Sequence, residues 1–315
     1  MRLTGARHYQ EDTKMRLNRL PILLAALSLL LLARGSDGGG ARPTVRIGSD
    51  NFYESRLMAE IYAQILENDG YTVERTFGLG SRQERAPVFS DGQVDLVPEY
   101  VGSGLGYYDV SQITGDGATN RDRLQASIAE FATVLGITPG EDTNAGVVRQ
   151  DTADELGIDS MSDLAAIQDQ LRWGIPPDCV ENPLCKGALE QYGITYPPAQ
   201  LESLAACDVP IAEALNGDAV DFAWLCSTQP AIVQYGFVVL ADDLDTQPAE
   251  NIAPLVRNDF LDKVSDADDF KALLDAASAL MTTEELTTLG VAIAVDQREV
   301  DEVAKEWLTS KGLLG

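Results

Sequence analysis

From residue 45 onward the chain switches repeatedly between two hydrophobic periods. Short runs rich in β-branched residues, 45–47 (Val-Arg-Ile) and 94–97 (Val-Asp-Leu-Val), flank a stretch whose apolar positions Leu57, Ile61 and Ile65 recur every four residues. The runs predict strands and the four-residue spacing predicts a helix. A further strand is predicted over 71–77. Strand and helix in alternation read as a parallel sheet with crossover helices. Ligands of such sheets sit against the loops that leave the carboxyl ends of the strands. Here those loops are 48–52 (Gly-Ser-Asp-Asn-Phe), 78–82 (Gly-Leu-Gly-Ser-Arg) and 98–102 (Pro-Glu-Tyr-Val-Gly). Their small residues let backbone approach a ligand, and each carries a polar or aromatic side chain.

The remaining pattern predicts a helix beginning within 105–108, an amphipathic helix over 121–135 and a strand over 145–148. A helix follows over 160–168, with Ser160 or Ser162 as its N-cap. Then come a strand over 171–175, helices over 186–192 and 209–215, and strands over 220–226, 237–240 and 252–256. The tail reads as three helices, 266–281, 283–289 and 298–311. No internal repeat is visible. Two α/β units with a change in mid-chain suggest two lobes.

The first segment stands apart. Basic residues up to Arg19 precede fourteen apolar or small residues, 20–33, and then a Gly-rich tether over 35–43. The apolar run is shorter than the roughly 20 residues that span a bilayer, so it reads as an export signal rather than a membrane anchor. Either Met1 or Met15 serves as the start. A bacterial lipoprotein would carry Cys after Leu31-Leu32-Ala33, and this chain has Arg34 there. The expected place is the periplasm or the outer face of the cytoplasmic membrane.

Export makes the four cysteines a disulfide question. Cys179, Cys185, Cys207 and Cys226 allow three pairings, of which Cys179–Cys185 with Cys207–Cys226 is favoured. Zinc is the alternative, but no C-x-x-C pair and no nearby histidine supports it. The single histidine, His8, lies in the leader, so the mature chain has no Ser-His or Cys-His chemistry. No metal or other cofactor is expected. The net charge is −27, and residues 43–315 alone hold 16 basic and 47 acidic groups. Nucleic acid and anionic lipid are therefore poor partners. Most of the excess reads as a solvated acidic surface.

The order I-G-S-x-N-F-x-E-S, a helix, L-G-S-R and D-L-V-P-E-Y-x-G resembles the opening of the substrate-binding proteins of ABC importers for quaternary amines. The resemblance continues through 142–145, 227–228, 236–240 and 251–254. It implies a two-lobed type II periplasmic-binding-protein fold, each lobe a mostly parallel sheet flanked by helices, with the ligand cleft between. The first lobe would take residues 45–142 plus 249–315 and the second 143–248, with hinges near Asn144 and Pro248. The implied partners are a small amine or related osmolyte and an ABC permease with its ATPase. A monomer and no catalysis are expected.

A quaternary ammonium is held by aromatic faces, because it has no N–H to donate. By the resemblance, Tyr100 is a cage tyrosine, Ser103 a hydroxyl for a ligand carboxylate, and Asp142 an acidic position whose main chain faces the cation. Phe52 belongs to the N-F signature, and Asn51, Ser81, Ser227 and Thr228 complete the loops. Other positions depart from the family. Asn144, Cys226 and Glu250 stand where further cage tyrosines are expected, Asn182 where an arginine clamp is expected, and Asp50 where a lysine is expected. The cage and the basic clamp therefore look dismantled, and Asp50, Glu99, Asp142 and Glu250 form an acidic set near the mouth. Arg82 is the one loop cation left to meet an anion, with a structural ion pair as its favoured role. The expected ligand is a small organic cation or polyol-like molecule rather than glycine betaine. Rival readings are a sensor or surface protein not coupled to transport, and a glycosidase using a carboxylate pair such as Asp50 and Glu99.

Overall fold

The computed structural model describes residues 42–204 and 209–314. The export segment and most of the tether, residues 1–41, lie outside the described residues, as does Cys207. Among the described residues no helix is long and apolar enough to cross a membrane.

Among the described residues, ten strands form two five-stranded sheets. Strands β1 (Val45–Gly48), β2 (Val73–Thr76), β3 (Leu96–Tyr100) and β4 (Ala132–Val134) share one sheet with β10 (Ile252–Arg257), in the order β2-β1-β3-β10-β4. Strands β5 (Asn144–Val148), β6 (Trp173–Ile175), β7 (Leu201–Ser203), β8 (Phe222–Cys226) and β9 (Val238–Val239) form the other, in the order β7-β6-β8-β5-β9. The two orders follow one plan. In each sheet three parallel strands come from βα units. The strand that enters from the other sheet, β10 or β5, runs antiparallel to both its neighbours. Four of the five strands in each sheet therefore point the same way, the mostly parallel arrangement expected, and the one crossing strand makes the sheet mixed. The crossing segments also touch each other, through a bridge between Glu141 and Asn251 and the Asp142 amide donating to the Glu250 carbonyl.

Helices α1 (Tyr53–Asn68), α2 (Arg82–Ser90), α3 (Val101–Asp109) and α4 (Gly117–Ile128) flank the first sheet. The four-residue spacing that predicted α1 is its buried face: Leu57, Ile61 and Ile65 pack with Phe270, Trp307 and Leu308 of the tail helices. The second sheet has its own core around Trp173 and Phe222, whose ring centroids lie 4.8 Å apart.

Two differences have clear causes. The helix expected over 121–135 stops at Ile128, and its last third is β4, which pairs antiparallel with β10 from Ala132 to Val134. Edge pairing overrode a helical period that three residues are too few to contradict. Helix α2 was not expected because Pro87 lies inside it, and proline normally argues against a helix interior. The helices Gln150–Leu156 and Pro230–Tyr235 and strand β7 were likewise not anticipated.

Candidate functional site

The loop after β1 leads straight into α1, the loop after β2 into α2, and β3 into α3. These three junctions bring a set of charges together beneath the sheet's carboxyl end. Arg85 of α2 is 1% exposed and donates from Nε to Asp50 Oδ1 at 2.7 Å and from Nη2 to Glu99 Oε2 at 2.6 Å. Arg82, one turn earlier, donates from Nε and Nη2 to Glu99 Oε1 at 3.0 and 2.9 Å. Burial alone would raise the Glu99 carboxyl, but the two arginines outweigh it and hold the group down at about 2. Asp50 has only Arg85, and burial wins there, moving its carboxyl upward. Two arginines thus balance two carboxylates. Asp50 and Glu99 are not at a mouth, as the sequence reading had them; they are the buried acceptors of this network.

Arg82 carries the network into a cavity. Its Nη2 also donates to Ser103 Oγ at 3.0 Å, and Ser103 in turn donates from N and Oγ to Glu250 Oε2, both at 3.0 Å. The cavity has a volume of about 270 Å³. Phe52, Arg82, Tyr100, Ser103 and Glu250 line it from the side of the first sheet. Asn144, Leu184 and Cys226 line it from the second, and Asp142, Thr143 and Pro248 from the crossing segments. Arg82 is therefore both an ion-pair partner and a cavity wall. Burial lifts the Glu250 carboxyl to about 7, against the Ser103 hydrogen bonds and the Arg82 charge. Burial likewise lifts Asp142 to about 6, against its hydrogen bonds from Thr228.

A second motif links the two sheets. Tyr100 donates its hydroxyl to Glu54 Oε1 at 3.0 Å, while Thr228 Oγ1 lies 2.9 Å from Glu54 Oε2 and 2.8 Å from Asp142 Oδ1. One hydroxyl carries one proton, so it serves only one of two carboxylates. Burial, reinforced by the Asp142 charge, pushes the Glu54 carboxyl well above its usual range. The consistent arrangement is a protonated Glu54 donating to Thr228, which donates to Asp142. Tyr53 adds a bond from its hydroxyl to the Thr228 carbonyl at 3.0 Å. Glu54 was quoted in the sequence motif but not singled out. An acid in the first turn of a helix ordinarily reads as a complement to the helix dipole.

Of the predicted site residues, Phe52, Tyr100, Ser103, Asp142, Asn144, Cys226 and Glu250 meet at the 270 Å³ cavity. Thr228 lies behind Asp142 and lines a neighbouring, mainly apolar cavity of about 620 Å³. Ser227 accepts from the Thr143 amide and lines a third space with Asn144. Asn51 is exposed, with its amide bonded to the Gly80 carbonyl. Ser81 precedes α2 and is tied to Glu84, whose Oε2 accepts from the Ser81 amide at 2.8 Å. Asn182 accepts from the Leu184 amide inside the loop closed by the Cys179–Cys185 disulfide. That disulfide is as expected; for Cys226 the expected partner lies outside the described residues.

Two mixed sheets joined by two crossing segments, with a small polar cavity drawing residues from both sides, define a two-lobed solute-binding protein. Residues 43–310 match the family described as the substrate binding domain of ABC-type glycine betaine transport systems, and the chain belongs to that family. It is 29% identical to a glycine-betaine-binding protein of Pseudomonas aeruginosa, over 93% of this chain and 96% of the relative. It is 27% identical to the glycine betaine-binding protein YehZ of Escherichia coli K12, over 93% of this chain and 99% of the relative. Among solved structures, one described as a glycine betaine/carnitine/choline ABC transporter superposes with a TM-score of 0.78 at 20% identity. That likeness covers 86% of this chain and all of that one, and it shows the fold. The chain is thus the extracytoplasmic substrate-binding component of an ABC importer.

Proposed function

We propose that this protein captures a small organic osmolyte of the glycine betaine, choline and carnitine type in the 270 Å³ cavity and delivers it, chemically unchanged, to a membrane permease powered by an ATPase subunit. The lobes are residues 45–142 plus 249–315 and residues 143–248, with hinges in the crossing segments near Asn144 and Pro248. The protein works as a monomer, exported by a leader within residues 1–42. The names of the relatives support the ligand class. The observation that carries the reading is that one cavity draws walls from both sheets, so a bound solute bridges them and favours closure.

The basic side of the site rests on Arg82, the one loop cation the sequence reading left to meet an anion. Arg82 lines the cavity, although its charge is already engaged by Glu99. Calorimetry and small-angle scattering with betaine, choline, carnitine and related amines test the proposal. At least one of them binds and narrows the scattering envelope. Turnover of a solute, or an envelope unchanged across the whole panel, refutes it.

A further inference from the structure

We infer that the cavity selects a small cation whose charged nitrogen carries N–H donors, such as an unmethylated amino alcohol, over the fully methylated nitrogen of choline or betaine. The inference rests on the reading of this cavity as the ligand site and names the ligand within it.

Its first support is a count of acceptors. Glu250 spends Oε2 on Ser103, Asp142 spends Oδ1 on Thr228, and Asn144 spends its amide nitrogen on Gln247. Glu250 Oε1, Asp142 Oδ2 and Asn144 Oδ1 accept no hydrogen bond among the described residues, and all three side chains line the same cavity. Glu250 is 7% exposed and lines the cavity, so that oxygen meets whatever occupies the cavity rather than bulk solvent. A primary ammonium offers three donors, and a trimethylated one offers none.

The second support is the charge balance. Arg82 and Arg85 are matched by Glu99 and Asp50. Neither Glu250 nor Asp142 has a cationic partner within ion-pair distance among the described residues. Burial holds both carboxyls upward, so the charged form of each lacks compensation and a bound cation would favour it. The groups facing Glu250 are Arg82 of α2, Glu99 of β3, Ser103 of α3 and, in the adjoining crossing segment, Asp142. Only the first is positive, and it is already paired.

The third support is the scarcity of rings. Phe52 and Tyr100 are the aromatic residues that line this cavity, with centroids 5.8 Å apart. A methylated ammonium would leave the open carboxylate oxygens without donors, and buried unmet acceptors are costly. Beside Glu250, Arg82 Nη1 donates to nothing among the described residues, so a ligand hydroxyl has a donor to meet.

The test uses the full chain and a matched pair of probes, ethanolamine and choline, which differ only in three N-methyl groups. Isothermal titration calorimetry should show ethanolamine binding about ten-fold or more tightly than choline, the margin of one charge-assisted hydrogen bond. In Glu250→Gln, whose folding is checked by circular dichroism, the two dissociation constants should come within about three-fold of each other. Choline or glycine betaine binding as tightly as ethanolamine overturns the inference while leaving the proposed function standing, provided the cleft closes on them. If no amine binds and no solute closes the cleft, both fall.

Discussion

Replacing Arg85 with methionine removes the centre of the buried charge network without opening a large cavity. Arg85 is 1% exposed and contacts Asp50 and Glu99, themselves 2% and 4% exposed. Glu99 keeps Arg82, so its loss is partial. Asp50 loses its ion-pair partner, keeps only the weaker influence of the Arg82 charge, and is left as a buried anion. Breaking a buried pair from one side costs about 3–5 kcal/mol, which for a domain of this size lowers the melting temperature by roughly 10 °C. The deficit depends on pH with a definite sign. Burial already raises the Asp50 carboxyl with Arg85 present, and without Arg85 it rises further above its unfolded value. The native variant can then relieve the buried anion by binding a proton, so the deficit is largest at neutral pH and shrinks as the pH falls toward 5. Scanning calorimetry of wild type and variant at pH 7 and pH 5 measures both effects, and Arg85→Met with Asp50→Asn should recover part of the loss. A deficit under about 1 kcal/mol at pH 7, the range of an exposed pair, would refute the reasoning. So would a deficit that is the same at both pH values.

Glu54→Gln should be nearly neutral at pH 5 and stabilising at pH 8, because the wild-type carboxyl must hold its proton against a rising pH to stay buried; thermal melts across that range decide it, and equal pH slopes for the two proteins would contradict a protonated Glu54. Removing the Cys179–Cys185 disulfide with alanines at both positions should lower stability by about 2 kcal/mol, given the short six-residue separation, as read from chemical denaturation. Gly140→Ala should destabilise by about 1–3 kcal/mol, since a Cβ there would lie 2.4 Å from the backbone of Thr282 and Thr283; an unchanged melting temperature would show that the 140–143 crossing yields easily.

How far the sequence carried differs between backbone and charge. Strands β1, β5, β8 and β10 were legible because each is a β-branched or aromatic run buried on both faces, and α1 because its apolar stripe is long. Strand β4 was not, since three residues acquire their meaning only from β10, more than a hundred positions away. The site divides along the same line. Tyr100 and Ser103 sit on local loop motifs and were found. The balance of Arg85 against Asp50 joins residues 35 positions apart, and the Glu54–Thr228 contact joins residues 174 apart. A list of acidic residues therefore overstated the free acid near the cleft. Asp50 and Glu99 had cationic partners that no local pattern reveals, whereas Glu250 and Asp142 have only hydroxyl and amide donors among the described residues.

That division bears on how the two sheets are held together. The chain carries a large acidic excess, yet the contact between Tyr53, Glu54 and Tyr100 on one side and Thr228 on the other is made of hydroxyls, a carbonyl and a carboxyl held protonated by burial. An ion pair at this position would hold strongly in a dry site and would leave two stranded charges whenever the sheets moved apart. A chain of neutral donors and acceptors exchanges its partners for water at little net change. The one group whose state must change on exposure is Glu54, which in water at neutral pH is an anion. Glu250 and Asp142, which have no ion-pair partner among the described residues, line the cavity, with Asp142 also accepting from Thr228 at the joint. Strong electrostatics is thus kept for the solute, and the contact between the sheets is left weak enough to open.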